Sequence, residues 1–175
     1  MTGRNLGRLL LAAAFCAGIC AANSAAAQQV GVTGAVNPAS KAVLGGNVRV
    51  LDLGAAIIHD EHLQTSASGS LQVVFLDKTT LSLGPSSEVT VDSFVYDPQR
   101  QSGKMALSLG RGVMRVVGVN VTHTGGATVT TPLATIGIRG GVATISHDRR
   151  SGTHAVNGTG TITVASRGPG GGRKP

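Results

Sequence analysis

Short alternations of apolar and polar residues, separated by turn formers, run along most of this chain. Leu71-Gln72-Val73-Val74-Phe75-Leu76 is apolar enough for a nearly buried strand. Leu81-Ser82-Leu83 and Val89-Thr90-Val91-Asp92 alternate with the period of two that turns one face inward. Residues 48–51, 105–109, 113–121, 129–138 and 142–145 complete the predicted strands. Gly, Pro, Asn, Asp and Ser punctuate these runs at the spacing of an all-β protein. No amphipathic helix is expected beyond the first 27 residues. Many short strands with turn signals predict a double-sheet sandwich or jelly roll rather than a parallel sheet. The long-period self-similarity of a propeller or solenoid is absent.

The pattern changes at both ends. Arg4 and Arg8 precede an apolar run over residues 9–22, and Ala25-Ala26-Ala27 offers a small-x-small cleavage site. Residues 1–27 therefore read as a signal peptide cut before Gln28. The competing reading, an uncleaved anchor, needs a longer apolar core. A lipoprotein signal is disfavoured because bulky Phe15 and Ile19 precede Cys16 and Cys20. Export to the periplasm or the exterior is the expectation. Residues 28–44, small and mildly polar, read as a loose lead-in, and residues 45–148 as the β domain. Residues 149–175 read as a divergent tail, with an edge strand over residues 159–164 and a disordered Gly-rich, basic end.

Composition narrows the function. The chain carries 15 basic and 8 acidic residues. Arg4 and Arg8 lie in the signal, and Arg149, Arg150, Arg167, Arg173 and Lys174 lie in the tail. Residues 28–148 keep 8 of each sign and are neutral. Nucleic-acid binding needs a basic face, and single-strand binding usually needs aromatics as well. Beyond the signal the aromatics are Phe75, Phe94 and Tyr96, too few for a stacking platform. Both cysteines leave with the signal, so packing rather than disulfides must stabilise the domain. No segment beyond the signal is long and apolar enough to span a membrane.

Familiar catalytic patterns are missing: there is no Gly-x-Ser-x-Gly elbow, no Ser-x-x-Lys and no phosphate loop. No enzyme activity and no cofactor are expected. His59-Asp60-Glu61-His62 is the best chemical cluster. His59 and His62 can hold a metal if His123 or His147 converges as a third ligand. A polar loop between strands explains the same residues.

The segment Thr131-Pro132-Leu133-Ala134-Thr135-Ile136-Gly137-Ile138-Arg139-Gly140-Gly141 joins a Thr-Pro, an alternating run and an Arg-Gly end. It resembles the signature of the FecR domain family, with Thr131, Pro132, Ile136, Gly137, Arg139 and Gly140 as the matching positions. Earlier parts follow the family's order. Gly46, Gly54, Thr65 and Gly69 match its opening steps. Asp77, Leu81-Ser82-Leu83 and Pro85-Ser86-Ser87 match its Asp-turn, Leu-x-Leu strand and Pro-x-Ser corner. Residues 107–113 match its Leu-x-x-Gly-x-Val stretch.

Three positions depart from the pattern. Lys78 stands where Gly is usual, which costs roughly 1 kcal/mol if that position needs a positive φ. Gly141 stands where Thr is common, and Ala143 where an aromatic is expected.

The resemblance implies a domain of the sensor type. Such a domain takes a signal from an outer-membrane transporter and passes it through a membrane helix to a segment controlling a sigma factor, often for iron uptake. Neither that helix nor that segment is evident here, so the extracytoplasmic module alone is expected. It would bind a protein or envelope component, with homo-oligomers allowed. The alternative is a signalling accessory that binds a TonB-dependent transporter or a membrane-bound FecR-type sensor. Arg139 is either a contact for an anion or partner, or a structural fork to loop carbonyls or to Asp92 or Asp148.

Overall fold

The computed structural model describes residues 28–38 and 40–167. The expected signal peptide and the Gly-rich end at residues 168–175 lie outside the described residues. Within them the chain is almost wholly β, as the alternating pattern predicts. The strands are β1 (Gln29–Asn37), β2 (Ser40–Leu44), β3 (Asn47–Leu51), β4 (Ala56–Ile58), β5 (His62–Thr65) and β6 (Ser70–Phe75). They continue with β7 (Thr80–Leu83), β8 (Glu88–Asp97), β9 (Ser102–Val117), β10 (Ala127–Thr130), β11 (Ala134–Asp148) and β12 (Gly152–Ser166). One turn of helix, α1 (Asn120–Thr124), interrupts them.

All twelve belong to one sheet that curls into two arms. Three strands are too long for a single layer, and they carry the sheet from one arm to the other. The first half of β9 pairs with β8 and β10, and its second half with β7 and β11. The first half of β11 lies between β10 and β12, and its second half between β9 and β12. One arm therefore runs β3-β2-β5-β8-β9-β10-β11-β12. The other runs β4-β1-β6-β7-β9-β11-β12. The pairing is antiparallel except between β9 and β10. The two layers expected of a sandwich are thus the arms of one curled sheet.

The core lies between the arms. Leu63, Leu107, Val129 and Ile136 point into it from one side, and Val73, Leu81, Val116 and Ile145 from the other, all fully buried. Phe75 of β6 and Phe94 of β8 stack across the gap with ring centroids 5.2 Å apart. Tyr96 packs beside Phe94 at 6.4 Å. Phe75 and Phe94 are thereby spent on the core, and Tyr96 packs against it.

Four stretches differ from expectation. The run at residues 129–138 is not one strand: β10 ends at Thr130 and β11 begins at Ala134, because Pro132 and its neighbours turn the chain back so that Val129 pairs with Ile136. Residues 28–44 are not a loose lead-in. They form β1 and β2, and β1 sits between β4 and β6 with Val30 and Thr33 buried. Their backbone hydrogen bonds, rather than large apolar side chains, hold them in the sheet. Residues 152–166 form β12, a strand longer than the one expected at residues 159–164 and paired along the whole of β11. It is an edge, since β11 is its one partner among the described residues. The apolar run at residues 113–121 is not all strand: β9 ends at Val117 and α1 begins at Asn120.

Candidate functional site

The signature segment builds a turn, a strand and a corner. Thr131 makes the turn. Its backbone N–H donates to the Ala134 carbonyl at 2.8 Å, and its Oγ1 accepts from the Ala134 N–H at 2.9 Å. Pro132 occupies the exposed tip, where its missing donor leaves no ladder bond unmade. Thr131 also pairs through its hydroxyl with Thr153 of β12, which in turn contacts His147 Nδ1, each at 2.9 Å. Thr131 and His147 are buried, so this chain of groups ties the turn to both neighbouring strands.

β11 then runs with Ala134, Ile136 and Ile138 inward and Gly137 and Arg139 on the outer face. At Gly140 and Gly141 it bends into the other arm. Both have left-handed φ, 64° and 68°, and the pairing with β12 shifts register there. A Cβ on Gly141 would strike the carbonyl of Thr159, and one on Gly140 would lie 3.0 Å from His123 Nε2 of α1. The Gly pair is therefore what lets the strand turn against α1 and β12.

Arg139 is exposed at this corner. Neither carboxylate foreseen as its structural partner holds it: Asp92 accepts from Ser108 Oγ at 2.7 Å, and Asp148 from the Arg150 N–H at 2.8 Å. Among the described residues its guanidinium makes no side-chain hydrogen bond or ion pair. It lies at one side of a small hollow of about 170 Å³ on the outer face of the sheet. Gly137 forms part of the floor, and Thr128, Thr161 and Thr163 line it. The missing side chain at Gly137 makes the depression; a Cβ there would come within 2.6 Å of Thr163 Oγ1. The guanidinium and the threonine hydroxyls beside it can all donate to a bound group. That set suits a carboxylate or another oxyanion.

Two buried carboxyl groups hold parts of the fold, Asp77 at the start of α1 and Glu61 beside β3. Asp77 is fully buried after β6. It accepts from the Thr79 N–H at 3.0 Å, the Thr79 hydroxyl at 2.7 Å and the Val121 N–H at 2.9 Å. It thus caps the start of α1 from 44 residues away, while Asn120 Nδ2 donates to its carbonyl at 3.2 Å. α1 has no side-chain cap of its own. Lys78, next in the turn, has φ of 72°, the left-handed conformation that the usual Gly of this position adopts freely. Glu61 is also buried and takes a two-pronged contact from Arg49, Nε to Oε1 and Nη2 to Oε2, both at 2.9 Å. It further accepts from the Ile58 N–H at 3.1 Å. Asp77 was visible in the sequence as a turn residue, but its link to α1 had no local signal.

The four-residue polar cluster is split by this arrangement. His59 contacts Asp60 at 3.0 Å in the turn after β4, and His62 contacts Thr90 Oγ1 at 3.0 Å across β5 and β8. Glu61 is turned inward to Arg49. His123 contacts the Val119 carbonyl, and His147 is in the Thr153 chain. Among the described residues no three His, Cys, Asp or Glu side chains converge to hold a metal. No helix among them is long and apolar enough to cross a membrane.

The fold is a curled all-β sheet, and the signature segment forms the corner that carries Arg139. The family model described as FecR protein matches residues 61–163, more than half of the chain, and the chain belongs to the FecR family. No curated protein and no solved structure matches it.

Proposed function

We propose that the chain is an exported, non-catalytic FecR-type interaction module of the bacterial cell envelope, periplasmic or extracellular, that binds a protein or envelope component. The observation that carries this reading is Arg139. It belongs to the family signature, yet it is exposed and makes no side-chain contact among the described residues, whereas Thr131, Ile136 and Gly140 are absorbed by the fold. A charge on the rim of a glycine-floored hollow, with threonine hydroxyls around it, would meet a partner's carboxylate on this reading. No cofactor enters this reading.

Family membership favours a second reading of the same surface: a signalling accessory that engages a TonB-dependent transporter or a membrane-bound FecR-type sensor in iron-uptake regulation. Pull-down of the tagged chain after crosslinking in living cells, read by mass spectrometry, tests both. Recovery of a transporter or membrane sensor, lost in Arg139→Ala, supports the signalling reading. Recovery of cell-wall or surface material, also lost in Arg139→Ala, supports the envelope reading. Capture that is unchanged in Arg139→Ala overturns the role given to this residue. The metal reading is tested by the metal content of the His59→Ala, His62→Ala double variant, which is expected to equal that of the parent.

A further inference from the structure

β12 is a fifteen-residue edge strand with unusual chemistry for an edge. Natural edges are usually blunted by Lys, Pro or inward-pointing charge. From residue 152 to residue 166 there is no Asp, Glu, Lys, Arg or Pro. The other two edges of the sheet differ. β4 is only three residues long, and β3 carries Arg49 in the ion pair with Glu61.

The half of β12 beyond its bulge is apolar on the inner face. Ile162 pairs with Ile138, and Val164 with Ile136. Ile136 and Ile138 are buried, but Val164 is 58% exposed. The apolar layer between the arms therefore continues past the last strand, and nothing among the described residues covers its end.

We infer that this edge pairs with the same edge of a second copy of the chain, antiparallel, about a two-fold axis at Thr163. The register follows from the sequence. An axis at Thr163 sets Ile162 opposite the partner's Val164 and Val164 opposite the partner's Ile162. One apolar row then crosses the junction in the order Ile138, Ile162, the partner's Val164, the partner's Ile136. An axis at Ile162 would instead set Val164 opposite a glycine and break the row. Two neutral strands meet without like-charge repulsion, which a charged edge pairing with itself cannot avoid. A foreign strand would find no charge here to select it. The junction closes by symmetry, since each edge is used once. It also brings two Thr163-lined hollows side by side on the outer face, each with its Arg139. The inference does not depend on what those hollows bind.

Disulfide mapping with single cysteines tests the register, since residues 28–175 contain no cysteine. Facing residues of an antiparallel pair have Cα atoms roughly 4.5–5.5 Å apart, inside the disulfide range of about 4.4–6.8 Å. Thr163→Cys is expected to give a crosslinked dimer under mild oxidation. Thr159→Cys should not, because its two copies lie roughly 26 Å apart at about 3.3 Å per residue. Sedimentation of the purified chain should give twice the monomer mass, falling to the monomer mass in Val164→Lys with an unchanged circular dichroism spectrum. A monomeric parent, or crosslinking at 159 as efficient as at 163, overturns the inference. Loss of the dimer in Val164→Lys with partner capture retained would leave the role of Arg139 standing; the reverse result would remove that role and leave the dimer.

Discussion

At the scale of single residues, two neighbours in the turn after β6 have opposite effects. Lys78 is exposed and held at φ 72°, where a residue with a Cβ loses about 1 kcal/mol or more relative to glycine. Lys78→Gly is therefore expected to raise stability by about 1 kcal/mol in urea unfolding with an unchanged slope; a loss would contradict the strain. Asp77 is the converse case. Removing its carboxyl leaves the Val121 N–H and the Thr79 groups without their acceptor in a buried place. Asp77→Ala should cost about 2–4 kcal/mol by the same measurement, with hydrogen exchange at Val121 rising more than at Val73. Asp77→Asn keeps one acceptor oxygen and should cost less. Arg139→Ala should change stability by no more than about 0.5 kcal/mol, since the side chain holds nothing in the domain.

At the scale of elements, the hairpin from β11 to β12 turns on Asp148. The Arg150 N–H, and after it the Ser151 N–H, donate to this carboxyl and hold it below its ordinary range. A group whose folded value is depressed stabilises the fold above its unfolded value, and that contribution is lost as pH falls through the folded value. The contribution of this carboxyl to the hairpin should thus be lost in acid, below about pH 4. The Asp148 carboxyl shift and the Arg150 amide shift should titrate together in NMR; a midpoint at or above that of free aspartate would contradict the contact. The strands legible in the sequence were those whose own side chains carry the alternation, such as β6, β7 and the first half of β11. β1 escaped because its pairing depends on small residues: a Cβ on Gly31 would sit 2.7 Å from the Val74 carbonyl, so close backbone approach replaces an apolar signature. α1 escaped because its cap comes from Asp77, far away in sequence, while the valines just before it, Val113, Val116, Val117 and Val119, read as strand. Arg139 was legible as a signature position, but its exposure was not, because Asp92 is taken up by Ser108 on the neighbouring strand and Asp148 by the Arg150 N–H.

At the scale of the whole molecule, one sheet curls on itself around the Phe75–Phe94 stack and leaves its distinctive chemistry on one outer corner. Phe94→Ala should cost about 3–5 kcal/mol in thermal or urea unfolding, through the lost ring and the cavity it leaves between the arms. Partner capture by the corner should persist in such a variant as long as the fold does, which separates stability from binding. On the proposed function this corner, and not the far edge of the sheet, meets the partner. A photo-reactive residue placed at Thr128, on the rim of the hollow, and another at Val48, exposed on β3, test it in living cells. Discrete crosslinked adducts from position 128 that vanish in Arg139→Ala, with none from position 48, are the expected result. Adducts from position 48 alone, or adducts from position 128 that persist without Arg139, would contradict it.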